Sequence, residues 1–480
     1  MNEYIAAFDI GTTSVKGILI QSDGTIYLPQ SLEVKTNYKP SNQVEQNPND
    51  WWENVCQISK YWWESGIHPE EVLLIVMSGQ MQDCIPIDEN GEPVRPAILY
   101  ADARATIQAK QLLNTFPDIQ KITGNPFDGS MVLPKIQWMK EEEPHAYKNT
   151  TAFLTSSKDF VIHKLTGQAV TDRVTGATTG MMDLVRKQWI TDWISDRKLP
   201  ELLAPSDVAG HVVDVAAGFR SGTTVLCGAG DAAATSMGAG VLDGDAKYGY
   251  IGSTGWVAYA TSRVSDQAKG VFQLCHVKEA RYLTIAPVLN AGNVHRWAAN
   301  VFMEGDYEAF DRAVVGAPLR EESVYFLPYI HGERFPVQDP NATGSFTNIR
   351  GTTTPADFCR SVLEGVVMSL RQTIEQLIGP VDRDAPIVLI GGGTSSGAWC
   401  QMAADVWGVS VHVPKQAEYL PAMGAASLGF VHLGWCENLE TFNERVIKHR
   451  PKHVYDPCSA ATQIYEQRYG KFLQLYVKDE

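Results

Sequence analysis

The sequence predicts an α/β protein folded as two domains, and two observations carry that reading. Residues 6–20, AAFDIGTTSVKGILI, and 247–260, KYGYIGSTGWVAYA, each lead an apolar, β-branched or aromatic run into a Gly-hydroxyl-hydroxyl turn and out into a second apolar run. That is the pattern of a β-hairpin. Both halves also carry strand–turn–helix units, VLCGAGD (225–231) opening a small-residue helix and PIVLIGGGTSSGAWCQMAADVWG (386–408). With 480 residues the chain is too long for one ordinary core. The repeated hairpin and the Gly- and Asp-rich GAGVLDGDAK before it place the domains at 1–245 and 246–480.

The remaining elements follow in chain order. VLLIVMSG (72–79) reads as a buried strand ending at a glycine, and Glu89-Asn90-Gly91 as a turn. Residues 156–167, SSKDFVIHKLTG, read as an amphipathic helix stopped by Gly167. In the second half Thr354 caps a long helix, Pro355 suits its first turn and Asp357 its positive end. Phe358, Leu363, Val366, Val367, Leu370, Ile374, Leu377 and Ile378 then recur at helical spacing, and Gly379-Pro380 ends it.

Bulk properties narrow the function. A formal net charge of −15 argues against a nucleic-acid binder, which needs clustered Lys and Arg, but not against a nucleotide gripped locally. The eight cysteines hold no Cys-x-x-Cys pair, so neither a zinc site nor a disulfide scaffold is expected. No leader and no run of about 18 apolar residues is found, so the expected setting is cytoplasmic, without a membrane partner.

Four segments are candidates for chemistry. A Gly-hydroxyl tip suits a phosphate, because it offers donors without side-chain bulk. In the first hairpin Asp9 offers a carboxylate for a hard cation, Thr12 and Thr13 hydroxyls, and Lys16 a cation. The alternative is a surface hairpin with a capping Asp, but the echo at Gly252, Ser253 and Thr254 favours two tips holding one polyphosphate. In CGAGDAAATSMGAG (227–240), Asp231 sits at a strand end, where a base for a hydroxyl nucleophile must be rigid, or merely caps the helix that follows. Its Gly-x-Gly-x-x-Ala form is a weak match to a dinucleotide fingerprint, and the chain has no P-loop. Gly391, Gly392 and Gly393 allow close backbone approach to an adenosine or a phosphate, or only a tight β–α turn. Residues 78–104 hold Gln80, Gln82, Asp83, Asp102 and Arg104, groups that hydrogen-bond sugar hydroxyls or line a solvated loop.

DIGTTSVKG, SGQM, ILYADAR, PKIQWMKEEEP (134–144), SSKDFVIHKLTG, TDRVTGATTGMMDL (171–184), CGAGD, IGSTG, LEGVVMSLR (363–371) and IGGGTSSGAWCQMAAD follow one another along nearly the whole chain. In that order they resemble the FGGY family of carbohydrate kinases, most closely its xylulokinase-like members. The resemblance implies two actin-like (ribonuclease H-like) ATPase domains hinged around a cleft, with ATP and magnesium as cofactors. It implies Asp9 and Asp231 at the metal and Asp231 as the base. It places Gly11, Thr12, Thr13 and Lys16 in a first phosphate loop, Gly252, Ser253 and Thr254 in a second, and Gly391, Gly392 and Gly393 beside adenosine. Gln80, Met81, Gln82, Asp102 and Asp231 are implied at the sugar.

The departures concern the sugar. Xylulokinases read Gly-Gln-Met-His where this chain has Gly79-Gln80-Met81-Gln82, Asn where it has Ala232, and Trp-Asn-Asp where it has Tyr100-Ala101-Asp102. The His and the Asn are groups that the family points at the ketose. The resemblance implies D-xylulose or a related pentulose as the acceptor. The loss of both groups counts against D-xylulose itself and leaves as the alternative another ketose or polyol such as ribulose, erythritol or glycerol. A homodimer is compatible with the resemblance. The rivals are an actin- or chaperone-like switch ATPase, in which Gln80, Gln82 and Asp102 have no task, and a Rossmann oxidoreductase.

Overall fold

The computed structural model describes residues 2–40, 42–191, 198–213, 215–244, 246–264 and 270–476. The opening hairpin pairs Tyr4–Ile10 with Ser14–Ile20, and Ile26–Glu33 adds a third antiparallel strand beyond it. On the other side Val72–Gly79 and then Thr224–Leu226 run parallel to Tyr4–Ile10. Every residue of Tyr4–Ile10 is buried, as an apolar strand covered on both faces must be.

The second sheet repeats the plan. Lys247–Ile251 pairs antiparallel with Gly255–Thr261, and Tyr282–Val288 follows beyond. Ile387–Ile390 and Val411–Pro414 run parallel on the other side. Numbered along the chain, these five strands stand in the order 3-2-1-4-5 in both sheets. The echoed hairpin is thus the local trace of a duplicated sheet.

Local chemistry sets the helices where the sequence places them. Helix Ser157–Thr166 stops at Gly167, which adopts φ 74°. Thr354 and Asp357 cap each other reciprocally at the start of helix Pro355–Ile378. The expected strand at 225–231 is two short pieces instead, Thr224–Leu226 and Ala229–Gly230. Gly228 divides them at φ 68°, where a Cβ would lie 1.9 Å from the Met77 carbonyl oxygen.

One helix crosses between the halves. Leu420–His432 packs on Tyr4–Ile10, on Val72–Gly79 and on helix Asp231–Gly238, so Ile5, Leu74, Met237, Tyr248 and Met423 share one core. Its backbone meets helix Asp231–Gly238 directly. A Cβ on Gly424 would lie 1.8 Å from the Ala234 carbonyl oxygen, and one on Gly238 would lie 2.2 Å from that of Leu420. No helix among the described residues is long and apolar enough to cross a membrane.

This contact sets up a stability test. Gly424→Ala should lower the unfolding free energy by about 1–3 kcal/mol, because neither backbone can retreat. Gly470→Ala, on an exposed face of helix Ser459–Phe472 with open space around it, should raise it by about 0.5–1 kcal/mol. Denaturant unfolding of both variants checks the pair, and equal effects would show the helix contact to be loose.

Candidate active site

A cavity of about 1580 Å³ lies between the two sheets. The first hairpin reaches it through register. Asp9 pairs with Lys16 across the strands, so both side chains leave on one face, with Lys16 Nζ 3.4 Å from Asp9 Oδ2. Burial pushes the Asp9 carboxyl above the usual carboxylate range, with Lys16 opposing it, and Asp9 Oδ1 is buried without a hydrogen-bond partner. At the tip, Gly11 N donates to Ser14 O and Thr12 Oγ1 donates to Gln80 Oε1 at 2.8 Å. Gln80 Nε2 donates to Gln46 Oε1, and Gln46 Nε2 returns to the Thr12 carbonyl at 2.6 Å, closing a ring that fixes the tip.

The second tip is braced from behind. Gly252 N donates to Thr254 O, while Gly292 N and Asn293 N, at the start of helix Gly292–Met303, donate to the Gly252 and Ser253 carbonyls. Tyr250 stands where the first hairpin has Asp9, stacked on Trp256 with ring centroids 3.7 Å apart. Gly391 follows strand Ile387–Ile390 at φ 99°, where a Cβ would lie 2.5 Å from the Ile251 carbonyl oxygen. A 3-10 turn, Gly392–Ser395, separates it from helix Gly397–Trp407, so that helix does not start directly at the glycines.

Asp231 is the first residue of helix Asp231–Gly238, with Gly230 at the cap position, so its carboxylate does not serve as the N-cap. It faces the cavity. Burial first, and the charge on Asp9 second, push it up to about 7. Behind it Asp172 Oδ1 accepts from Gly230 N at 3.4 Å and from Val174 N at 2.8 Å. Lys158 Nζ lies between Asp159 Oδ1 at 2.7 Å and Asp172 Oδ2 at 3.0 Å, all three wholly buried. Burial alone would depress that ammonium, but the two carboxylates hold it well above the ordinary lysine range. The segments SSKDF (156–160) and TDRVTG (171–176) contain these residues, yet nothing in their spacing shows that they meet beneath Asp231.

Asp9, Gly11, Thr12, Thr13, Lys16, Met81, Gln82, Asp231, Ser253, Thr254, Gly391 and Gly392 all line the cavity. Gly252 and Gly393 back the turns and are not in its lining. Gln80 and Asp102 require correction as sugar contacts. Gln80 is buried and committed to the ring under Thr12. Asp102 is wholly buried, because its oxygens accept from Val44 N, Arg104 N and the Arg104 guanidinium. Trp256 joins the lining from the second hairpin itself, and Phe272 and Arg334 join it from elsewhere in the chain, without a local signal.

Residues 4–238 match the N-terminal domain of the FGGY family of carbohydrate kinases, and residues 261–433 its C-terminal domain. The chain belongs to the FGGY family. It is a carbohydrate kinase with the family's two-domain, actin-like ATPase fold. A curated relative named xylulose kinase, from Bacillus subtilis (strain 168), is 30% identical over 99% of this chain and 97% of its own length. Another of that name, from Escherichia coli (strain K12), is 28% identical over 88% of each chain. Among solved structures, a ligand-bound xylulose kinase from Lactobacillus acidophilus superposes with a TM-score of 0.88 at 24% identity, covering 98% of this chain and 97% of its own. A glycerol kinase from Plasmodium falciparum with ADP gives 0.87 at 17% identity, covering 100% and 99%.

The FGGY site makes a charge prediction. Because the Asp231 carboxyl is raised, its protonated form persists to near pH 7, and the Asp9 charge contributes to that rise. Carbon-13 NMR titration of metal-free protein should show an Asp231 midpoint near 7. The midpoint should move to lower pH in Asp9→Asn, and an unmoved midpoint would mean that the two carboxylates do not feel each other.

Proposed function

We propose that this carbohydrate kinase transfers the γ-phosphoryl group of ATP, with magnesium, to a hydroxyl of a ketose or polyol. The observation that supports it most is Asp231, a carboxyl raised to about 7 at a helix start, facing a cavity into which two Gly-hydroxyl tips from separate sheets project. A base works best when its pKa lies near the working pH, since it is then both unprotonated and able to hold the proton.

The residues fit magnesium. That ion takes few protein carboxylates and keeps water and phosphate oxygens in its shell. Asp9 Oδ1 lacks a partner, and Asp9 and Asp231 repel across the same cavity. Both would hold the cation, which when bound offsets charge on the phosphates. The backbone and hydroxyls of Gly11, Thr12, Thr13, Gly252, Ser253 and Thr254, with Lys16, would grip the polyphosphate, and Gly391, Gly392 and Gly393 would form the adenosine-side turn. Asp231 takes the proton of the attacking hydroxyl as its oxygen bonds to the γ-phosphorus and ADP departs. Such a reaction belongs in a cytoplasm, where ATP and sugars are available, and a switch ATPase would leave the Gln82 side of the cavity without a role.

The named relatives favour a pentulose, but the acceptor side of this chain differs. Gln82, half-buried at φ 67°, lines the cavity and donates its Nε2 to Ser130 Oγ at 2.7 Å. Ala232 adds only a methyl group. A panel of ketoses, pentitols and aldoses, scored by ADP release, should show D-xylulose to be poorer than at least one other acceptor, since a mismatched polar group discriminates strongly. D-xylulose as the best acceptor would overturn that reading of Gln82 and Ala232.

The base has its own test. Asp231→Asn preserves size but cannot take the proton, so turnover should fall by about 10²–10⁴-fold with KM for ATP little changed. Asp9→Asn should instead regain activity as magnesium is raised. Steady-state kinetics across a magnesium series separate the two roles, and near-normal turnover in Asp231→Asn would remove the mechanism.

A further inference from the structure

Helix Val132–Glu142 packs on strand Met81–Ile87, and one of its side chains is out of character with a core. Lys135 is wholly buried and forms no ion pair with any carboxylate among the described residues. A buried ammonium is unfavourable unless its protons are taken up. Here Nζ donates to the Gln82 carbonyl at 2.9 Å and to the Leu99 carbonyl at 2.8 Å. Those carbonyls belong to the start of that strand and to a separate loop, and both segments line the cavity, through Met81 and Gln82 in one and Tyr100 and Ala101 in the other. Asp83 adds a second tie between them, with Oδ1 accepting from Tyr100 N at 3.3 Å.

Gln82 is held from both ends by one element. Its main-chain carbonyl is taken by Lys135, and its side-chain amide by Ser130, just ahead of the same helix. Its left-handed backbone, unusual for a residue with a side chain, needs such support. An apolar side chain at 135 would fill space equally well and would leave both carbonyls without a donor.

We propose that Lys135 is a positioning residue for acceptor recognition: it draws the Gln82 and Leu99 carbonyls together so that Gln82 and Tyr100 meet the acceptor as one surface. The proposal rests on the kinase reading. Lys135 itself bonds the Gln82 and Leu99 carbonyls and no atom of the phosphate tips, so the larger effect should fall on the acceptor.

The test uses Lys135→Met and Lys135→Arg in the full-length enzyme, with the best acceptor from a panel of D-xylulose, D-ribulose, erythritol and glycerol. Lys135→Met should raise KM for that acceptor at least 10-fold while KM for ATP stays within about twofold. Lys135→Arg, which keeps the charge and the donors, should recover part of the loss. Equal acceptor KM in Lys135→Met and wild type would overturn the proposal. So would a parallel rise of both KM values, or failure of both variants to fold, since each marks a general support of the core. If wild-type ATP turnover responds to no acceptor, the kinase reading itself has failed and the proposal falls with it.

Discussion

The site depends on keeping two carboxylates close in a place that favours neither charge. Asp9 and Ala229 both pair with Ser78, from opposite sides of the same strand, so Asp9 and the turn that carries Asp231 stand level across the sheet. Two interstrand spacings separate those backbones by about 10 Å, within which two inward side chains can share one cation. Neither carboxylate would choose this position alone, because burial raises both. The sheet register holds Asp9, and the Gly424–Ala234 contact with the crossing helix holds Asp231. The Lys158–Asp172 pair sets the turn in between. Geometry that costs stability at the centre is thus supported by close packing around it.

What was legible in the sequence was whatever is decided within a few residues. The Gly-hydroxyl hairpins, the Thr354–Asp357 cap and the Gly167 stop each rest on local backbone chemistry, and each is found where expected. The placement of the candidate site was legible to the same extent, because Asp9, the two tips and Asp231 all lie at strand ends and turns that local chemistry defines. Gln80 and Asp102 show where this ends. Both are polar residues beside a strand end, but orientation decides their roles. Gln80 turns back toward Gln46, and Asp102 is taken by the Val44 amide, 58 residues away. Lys135 is the opposite case, since a lysine on a helix is ordinarily solvated and only the fold buries it. Trp256 and Phe272 reach the cavity through pairing on either side of strand Tyr282–Val288, and Arg334 lies over the Phe272 ring from far along the chain, which no spacing rule records.

The duplicated sheet also explains why its two hairpins cannot be identical. In the first, the residue before the turn is Asp9, and in the second it is Tyr250. A carboxylate at 250 would put a third negative charge beside Asp231, for Tyr250 already senses it: burial first and the Asp231 charge second raise that phenol. Like charges favour the protonated acid, and Asp231 already stands at about 7 with Asp9 and Asp172 raising it beyond the effect of burial. A further rise would leave the proposed base mostly protonated at neutral pH and remove its use as a proton acceptor. Stacking Tyr250 on Trp256 keeps the second wall neutral while preserving the turn that presents Ser253 and Thr254. Repetition supplies the frame, and on the proposed mechanism a base that titrates near neutrality is best served by a carboxylate in one copy alone.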